Sequence, residues 1–404
     1  MVRKQRSEAE QQVAELLRTA RESLGLSLAF MTRMDGTTQH LEVVDSSIPL
    51  VFRDGTSHPQ ETTFCQAIMD GRLPAVMPNV KDFPAAMKLP PARMPRIRSF
   101  VSVPMVLSDG SVYGTFCAAG FAADKQLSKR DKALMEVLSR AASLIIEPGV
   151  RQRTRNAEIE SRLRPVINDG GPVVLLQPIV DLLTRRRVGT EALSRFPHQW
   201  QLPPDRCFAD AELIGEREHL ELLALRGAGA HLSRVSGYVA MNVSPSTLFT
   251  KRCLNFLEGL PLDRVVLELS EHEPIEDYDF LKAVLAPLRA RGMRLAIDDV
   301  GAGFSSLRHI VVTAPDVIKL DRSIVTGLSD DPVLSVVVHS LVDLARATGA
   351  QVVAEGVETE ADAATLATLG AGLGQGWHFG RATTREELRD QYPRAAVAVQ
   401  SSPV

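Results

Sequence analysis

The sequence predicts an α/β protein whose second half folds as a (β/α)8, TIM-like barrel with an antiparallel first strand, preceded by an α+β domain. Strand-like runs recur about eight times between residues 173 and 380, and most are separated by stretches with helical periodicity. Only Leu182 to Val188 joins the first two runs, which is too short for a helical crossover between parallel strands. The first half instead contains short strands, two of them joined at Asp109-Gly110, a dipeptide typical of hairpin turns.

The first half begins with apolar positions at helical spacing over residues 7 to 23. Strand-like runs follow at residues 28–31, 41–44, 75–77, 99–107 and 112–117. Ser128 to Asp131 resembles a capping box and predicts the start of a second helix, which we expect Pro148-Gly149 to end. The charged segment Arg151 to Arg164 is predicted to be helical again. We therefore expect a sensor-like domain at 1–147, a helical linker at 148–165 and the barrel at 166–404.

The second half follows a different rhythm, because its strand-like runs alternate with helical stretches such as Tyr278–Arg291 and Val333–Thr348. The eight runs are Val173–Asp181, Gly189–Phe196, Tyr238–Val243, Val265–Glu271, Arg294–Val300, Val317–Asp321, Gln351–Val357 and Gly374–Gly380.

Composition excludes several classes of protein. The 404 residues suggest about two or three domains at ~150 residues each, and 45% hydrophobic with 24% charged residues is typical of globular chains. A net charge of -3 argues against a protein that coats nucleic acid or an anionic membrane. We expect no membrane span, since no apolar run reaches the ~18 residues required. The four scattered cysteines predict neither a disulfide framework nor a structural zinc site, so we expect a protein of the reducing cytoplasm.

Polar side chains interrupt the barrel strands near their ends. They are Glu191, Asn242, Glu268, Glu271, Asp298, Asp299, Lys319, Glu355, Glu358 and Gln375. The carboxyl ends of barrel strands converge on one mouth, where five or six carboxylates need cations to neutralise them. Oxygen ligands without His or Cys favour Mg2+ or Mn2+ over zinc. The adjacent Asp298 and Asp299 suit a bridge between two metals about 3.5–4 Å apart, as in phosphoester hydrolysis.

Each residue also has an ordinary structural explanation. A single acid at a strand end often caps a helix or forms a salt bridge, whereas so many at one end favour a site. Lys319 is open to three interpretations: a Schiff-base lysine, a partner for the acids, or a group that polarises water.

Several segments of the second half resemble EAL-domain phosphodiesterases, which hydrolyse cyclic di-GMP to linear pGpG. Glu191-Ala192-Leu193-Ser194-Arg195 resembles the family's signature. The other segments of the resemblance stand in the family's order. Gln177-Pro178 precedes the signature, and the segments after it are Asn242-Val243-Ser244, Glu268-Leu269-Ser270-Glu271, Asp298-Asp299-Val300-Gly301, Asp316 to Asp321, Ala354 to Glu358, and Gly374-Gln375-Gly376. The resemblance covers roughly residues 172 to 390, and this family's barrel has an antiparallel first strand.

The resemblance implies a role for each matching residue. Glu191, Asn242, Glu268 and Asp298 would bind a first Mg2+ or Mn2+; Asp298, Asp299 and Glu355 would bind a second. Lys319 would orient and help deprotonate the attacking water, with Glu355 supporting that catalytic site. Gln177, Arg195, Glu358 and Gln375 would contact substrate, and Glu271 would anchor the loop that follows Asp299.

That loop departs from the family's pattern, because Val300, Ala302 and Phe304 stand where Phe, Thr and Tyr are usual. A second hypothesis is therefore a catalytically silent cyclic di-GMP receptor. A third, an aldolase-type barrel with Lys319 as a Schiff base, leaves the acids without a role.

The first half resembles a GAF sensor domain through Thr63-Phe64-Cys65, Pro78-Asn79-Val80, Arg98 to Pro104 and Gly110 to Cys117. The resemblance implies a small ligand or signal that the sequence does not identify. We also expect a homodimer, in which the helices around Leu134–Ile145 and Arg151–Arg164 pair two chains. Cys65 is open to two interpretations: attachment of a chromophore or sensing of redox state, and a small buried hydrophobic residue, the commoner case for a free cysteine.

Overall fold

The computed structural model describes residues 6–48, 52–94, 96–269, 275, 277–301 and 310–391. The chain divides into two compact units, Met1–Arg155 and Asn156–Val404. No helix within the described ranges combines the length and the apolar character that crossing a bilayer requires.

The first unit contains a six-stranded sheet. Its strands are β1 Leu28–Met34, β2 Thr38–Ser46, β3 Ser57–Pro59, β4 Val76–Met77, β5 Ser99–Val106 and β6 Val112–Gly120. Their order in the sheet is β3-β2-β1-β6-β5-β4. The neighbouring strands pair antiparallel, and the predicted hairpin at Asp109-Gly110 is confirmed by the β5–β6 register, which pairs Val103 with Phe116.

Both faces of this sheet are covered, because successive side chains of a strand point to opposite faces. In β6, Phe116 and Ala118 belong to one apolar cluster, together with buried positions of the helix Glu8–Ser23. Cys117 and Ala119 belong to a second cluster on the opposite face. That second cluster includes residues of the short helices Phe64–Met69, Pro84–Met87 and Pro90–Arg93. The helix predicted at residues 7 to 23 is confirmed, and Ser7 and Glu10 form its capping box.

A single 40-residue helix, Lys129–Asn168, follows the sheet, so the predicted helix end at Pro148-Gly149 is wrong. Pro148 removes the N–H that would bond to the carbonyl of Leu144. This turn of the helix faces solvent, where Leu144 is 64% exposed, and water can satisfy that carbonyl. Across the proline, Arg151 Nη2 lies 2.6 Å from Glu147 Oε1. Both side chains also bond to Ser108, which follows β5, so this turn of the helix is tied to the sheet.

The second unit is built on a closed barrel of eight strands. They are β7 Val173–Asp181, β8 Arg187–Arg195, β9 Tyr238–Val243, β10 Val265–Leu269, β11 Arg294–Val300, β12 Val317–Leu320, β13 Gln351–Ala354 and β14 Leu373–Gly374. Their order around the barrel is β10-β11-β12-β13-β14-β7-β8-β9. β7 pairs antiparallel with both of its neighbours, β8 and β14. The predicted barrel with an antiparallel first strand is therefore confirmed.

Helices fill most of the connections between these strands. They are Pro204–Leu213, Arg217–Gly229, Pro245–Leu248, Lys251–Glu258, Tyr278–Ala290, Arg322–Val325, Pro332–Thr348 and Glu360–Leu369, and a further helix, Arg385–Gln391, follows the last strand. Their apolar faces pack on the outside of the barrel, as Leu281, Leu285 and Leu288 of one helix do.

The eighth strand is much shorter than the predicted run Gly374–Gly380, since β14 ends at Gly374. The chain then turns around Val357, whose N–H donates to the carbonyl of Gln375 at 3.0 Å and whose carbonyl accepts from His378 at 3.0 Å. A Cβ at Gly376 would lie 2.2 Å from the Val357 carbonyl oxygen, so this close approach requires glycine.

One layer of apolar side chains fills the interior of the barrel. Its members are Ile179, Tyr238, Ala240, Val266, Ala296, Val317, Val353 and Leu373. The Tyr238 ring packs against Gly189, where an added Cβ would lie 2.6 Å from the ring. The Arg294 guanidinium carbon lies 4.4 Å from the centroid of the same ring. The interior is thus packed below the level at which the polar side chains begin.

Candidate active site

The polar side chains of the barrel form a layer directly beyond this apolar layer. Side chains two residues apart on a strand point to the same side. Six of the apolar residues are accordingly followed, two positions later, by a polar residue: Asn242, Glu268, Asp298, Lys319, Glu355 and Gln375. Glu191 stands in the same relation to Gly189. Because β7 is antiparallel, Gln177 lies two positions before Ile179 and joins the same layer, paired in register with Glu191.

Lys319 lies at the centre of this layer, and its side chain is 1% exposed. Its Nζ is 2.6 Å from Glu355 Oε1, 3.0 Å from Glu268 Oε2, 3.1 Å from Asp298 Oδ1 and 3.5 Å from Glu191 Oε2. One ammonium group therefore contacts four carboxylates that are contributed by four different strands or strand ends.

Amide side chains complete the surroundings of Glu191. Gln375 Nε2 donates to Glu191 Oε2 at 2.6 Å, and Asn242 Nδ2 donates to Glu191 Oε1 at 3.1 Å. Gln375 Nε2 also lies 3.2 Å from Gln177 Oε1, and Gln177 Nε2 donates to the carbonyl of Gly380 at 3.2 Å. These bonds fix the orientation of two predicted substrate-binding residues against a predicted metal ligand.

The electrostatics show a charge imbalance. Burial works against the charged form of Lys319, but Asp298, Glu191, Glu268 and Glu355 raise its pKa well above the usual value. Burial raises the pKa of Glu355 to about 8, with Lys319 opposing the shift. Burial also raises the pKa of Glu268 well above its ordinary value. A single ammonium is therefore too little positive charge for all of these carboxylates to ionise together.

The geometry of the acids fits two cations that share one residue. Oxygen atoms of Glu191, Glu268 and Asp298 lie within 4.8 Å of one another, and so do those of Asp298, Asp299 and Glu355. With all five carboxylates ionised, five negative charges against one positive leave -4, the charge that two divalent cations neutralise. The donor set consists of carboxylate and amide oxygens, which suit hard divalent metals.

The predicted site residues divide by location. A cleft of about 760 Å3 includes Glu191, Arg195, Asn242, Asp298 and Asp299 in its lining. Glu358 lies beside Arg322, whose Nη2 is 3.8 Å from Glu358 Oε1, rather than in the cluster around Lys319. Glu271 and residues 302–309 of the loop after Asp299 lie outside the described residues.

Sequence reasoning missed the group that holds the backbone beyond Asn242. Glu221 is buried on the helix Arg217–Gly229, and its Oε2 accepts hydrogen bonds from Ser244 N at 3.1 Å and Ser244 Oγ at 2.7 Å. Arg217 Nε donates to the other Glu221 oxygen at 2.9 Å. A charged residue in the apolar run Leu220 to Leu225 was the available signal.

Comparison with known proteins agrees with this geometry. Residues 160–382 match the family model of the EAL domain, and residues 7–147 match that of the GAF domain. This chain belongs to the EAL domain family. Its relatives include the cyclic di-GMP phosphodiesterase PdeL of Escherichia coli, 32% identical over 218 residues that cover 50% of this chain and 59% of PdeL. An uncharacterised protein of Mycobacterium tuberculosis is 31% identical over 251 residues, 57% of this chain and 82% of that protein.

Solved structures of EAL proteins share the fold. The PaMucR phosphodiesterase, in complex with cyclic di-GMP, is 27% identical to this chain, with a TM-score of 0.52. The alignment covers 57% of this chain and 99% of the PaMucR chain. The alignment with the EAL enzyme Bd1971 covers 90% of this chain and 92% of the Bd1971 chain, with a TM-score of 0.54. Because the two sequences are only 20% identical, this similarity concerns the fold alone. Some curated relatives are much longer, since the match spans only 40% of their length.

Proposed function

We propose that the barrel hydrolyses cyclic di-GMP to linear pGpG with two Mg2+ or Mn2+ ions, at a rate set by the GAF domain. The observation that carries the proposal is the pair of acid trios that share Asp298 around the buried Lys319. The PdeL and PaMucR relatives, named as phosphodiesterases or bound to cyclic di-GMP, support the choice of substrate.

The residues divide the chemical work. Glu191, Asn242, Glu268 and Asp298 hold the first cation, and Asp298, Asp299 and Glu355 hold the second. When bound, the two cations supply an acidified water and neutralise the charge that develops on the phosphate oxygens. Lys319 Nζ orients that water from the centre of the cluster.

Substrate contacts come from the rim of the same layer. Arg195 lies in the cleft lining, where its guanidinium can pair with a phosphate. Gln177 and Gln375 present amide groups next to Glu191. We also propose Glu358 and Glu271 as accessory residues, the latter for anchoring the loop after Asp299.

The assembly we propose is a cytoplasmic homodimer whose GAF domain takes a small ligand or signal. Val137 and Leu144 of the helix Lys129–Asn168 are 68% and 64% exposed and lie seven residues apart. Apolar residues at this spacing form the seam along which two helices pair. Sedimentation of the full chain at assay concentration tests this assembly, and a monomer there contradicts it.

The test of the activity is incubation of the purified full chain with cyclic di-GMP and Mg2+ or Mn2+, with chromatographic separation of the products. We expect linear pGpG, and none in EDTA. Glu191→Gln removes a cation-binding carboxylate and is expected to lower the rate at least ~100-fold, about 2.7 kcal/mol of barrier.

The matched control is Glu258→Gln, an exposed glutamate at the end of the helix Lys251–Glu258, which should hydrolyse at the wild-type rate. Cyclic di-GMP binding with no product in either metal would contradict the enzyme and favour a receptor. Hydrolysis that survives both Glu191→Gln and EDTA would contradict the two-cation mechanism.

A further inference from the structure

Two cysteines that are far apart in the sequence meet inside the first unit. Cys65 lies in the helix Phe64–Met69 and Cys117 in β6, 52 residues later, with their Sγ atoms 3.4 Å apart. Both residues are buried, at 2% and 0% exposure, and the four cysteines of the chain are free thiols. A disulfide between these two would therefore join the helix to the centre of the sheet with little movement of the sulfur atoms.

The surroundings of this thiol pair are polar, which distinguishes it from ordinary buried cysteines. Gln39 Nε2 donates to Cys65 Sγ at 3.4 Å, while Ser102 Oγ and Thr115 Oγ1 each lie 3.2 Å from Cys117 Sγ. The hydrogen bond with Cys117 lowers the pKa of the Cys65 thiol, and burial raises that of Cys117. The two thiols are thus unequal, with Cys65 the better nucleophile and Cys117 the thiol that remains protonated.

A small molecule has space beside Cys65. A cavity of about 100 Å3 is lined by Cys65 and Gln39, with aromatic side chains that include Phe64 and Phe100. This volume is well above the ~10–15 Å3 that one water molecule needs. A peroxide of nearly the size of water therefore has room to reach the Cys65 sulfur.

The other two cysteines provide an internal contrast. Burial raises the pKa of Cys207 to about 11 and that of Cys253 to about 12, so neither is a thiolate at neutral pH. The thiolate is the form that reacts with peroxides, so the lowered pKa of Cys65, together with a second sulfur 3.4 Å away, favours oxidation of Cys65 over these two cysteines.

The geometry points to Cys65 and Cys117 as a peroxide-oxidisable pair that forms an intramolecular disulfide in the GAF domain. The Cys65 thiolate attacks one oxygen of a hydroperoxide, breaking the O–O bond and releasing the other oxygen as an alcohol or water after protonation. The Cys117 thiol then attacks the resulting sulfenic sulfur; the S–S bond forms, the S–O bond breaks, and the hydroxide leaves with the Cys117 proton as water. The two thiols lose two electrons, and the peroxide gains them.

The experiment uses the full chain, reduced, desalted and exposed to increasing hydrogen peroxide. We expect denatured protein to fall from four titratable thiols to two, with return to four after dithiothreitol. Tryptic digestion without reductant is expected to link the peptide 54–72, which holds Cys65, to the peptide 99–125, which holds Cys117. Four thiols that persist at peroxide levels that oxidise free cysteine would overturn the inference.

Variants separate the two cysteines and guard against misfolding. Cys117→Ser should abolish the linked peptides and leave Cys65 as a sulfenic acid that dimedone traps, while Cys207→Ser should form the link as the wild type does. Circular dichroism before oxidation checks that each variant is folded. Two other results would overturn the inference. One is a linked peptide that involves Cys207 or Cys253; the other is dimedone labelling of Cys117 in the Cys65→Ser variant as strong as the labelling of Cys65 in the Cys117→Ser variant. These readouts are independent of cyclic di-GMP hydrolysis.

Discussion

The two units of this chain each bury a polar cluster, and the two clusters are stabilised in different ways. In the first unit, two thiols, two hydroxyls and an amide surround one another without a formal charge on any partner. In the barrel, four carboxylates surround Lys319, whose single charge is too small to neutralise them. The neutral cluster pairs both of its sulfur atoms within itself and leaves only the buried Gln39 Oε1 without a partner among the described residues, whereas the charged cluster keeps an excess of carboxylates over its single ammonium.

The difference follows from the cost of burial. A buried hydroxyl or thiol needs only a hydrogen-bond partner, but a buried charge costs several kcal/mol unless it is paired. In the sequence alone, most members of both clusters are simply polar residues within otherwise apolar strands. The charge count, rather than polarity itself, distinguishes a site that binds cations from a packed polar core.

The largest effect on stability is expected for Lys319→Met in metal-free protein. The four carboxylates lose their counter-charge, and breaking a buried ion pair by removing one partner costs about 3–5 kcal/mol. Thermal unfolding in EDTA measures this loss, and Mn2+ should restore a larger share of stability to the variant than to the wild type.

Lys282→Met is the matched control, because Lys282 is a half-exposed lysine whose Nζ is 3.9 Å from Asp279. Exposed pairs contribute little, so a change within about 0.5 kcal/mol is expected. Equal destabilisation by the two substitutions would remove the distinction between the two clusters.

A smaller effect is expected for Glu221→Gln, which disturbs the support of the segment after Asn242. The amide loses the negative charge that accepts from both Ser244 N and Ser244 Oγ, and such buried bonds contribute about 1–3 kcal/mol. We expect weaker Mn2+ binding, measured by calorimetry, with the fold retained. Glu218→Gln on the same helix, whose partner Arg252 is 3.7 Å away at the surface, should bind as the wild type does.

The smallest effect is expected for Cys117→Ser in reduced protein. A hydroxyl replaces the thiol among Ser102, Thr115 and Cys65, where it finds the same hydrogen-bond partners. A near-isosteric change costs less than about 1.5 kcal/mol, and urea unfolding of the first unit measures it. A loss as large as that expected for Lys319→Met would show that the sulfur cluster is not internally satisfied.

The sequence predicted most of the fold, because strand and helix periods are local properties. The antiparallel β7 followed from one short connection, Leu182 to Val188. The errors lie where tertiary contacts decide. The helix continues through Pro148, where Ile146 packs in the apolar cluster and Glu147 and Arg151 both bond to Ser108, and β14 ends at Gly374, where the chain wraps around Val357.

The barrel cluster was predictable because its members follow one rule of position, two residues beyond the apolar layer. The contacts of Glu221 with Ser244 and of Cys65 with Cys117 follow no such local rule. They join residues 23 and 52 positions apart, and only the folded chain brings these residues together.

Titration of Mn2+ into the metal-free full chain tests the central account most directly. The shared position of Asp298 in the two acid trios predicts two ions per chain, and Asp298→Asn is predicted to weaken both. Wild-type uptake of no Mn2+, or undiminished binding of two ions by Asp298→Asn, would contradict the account.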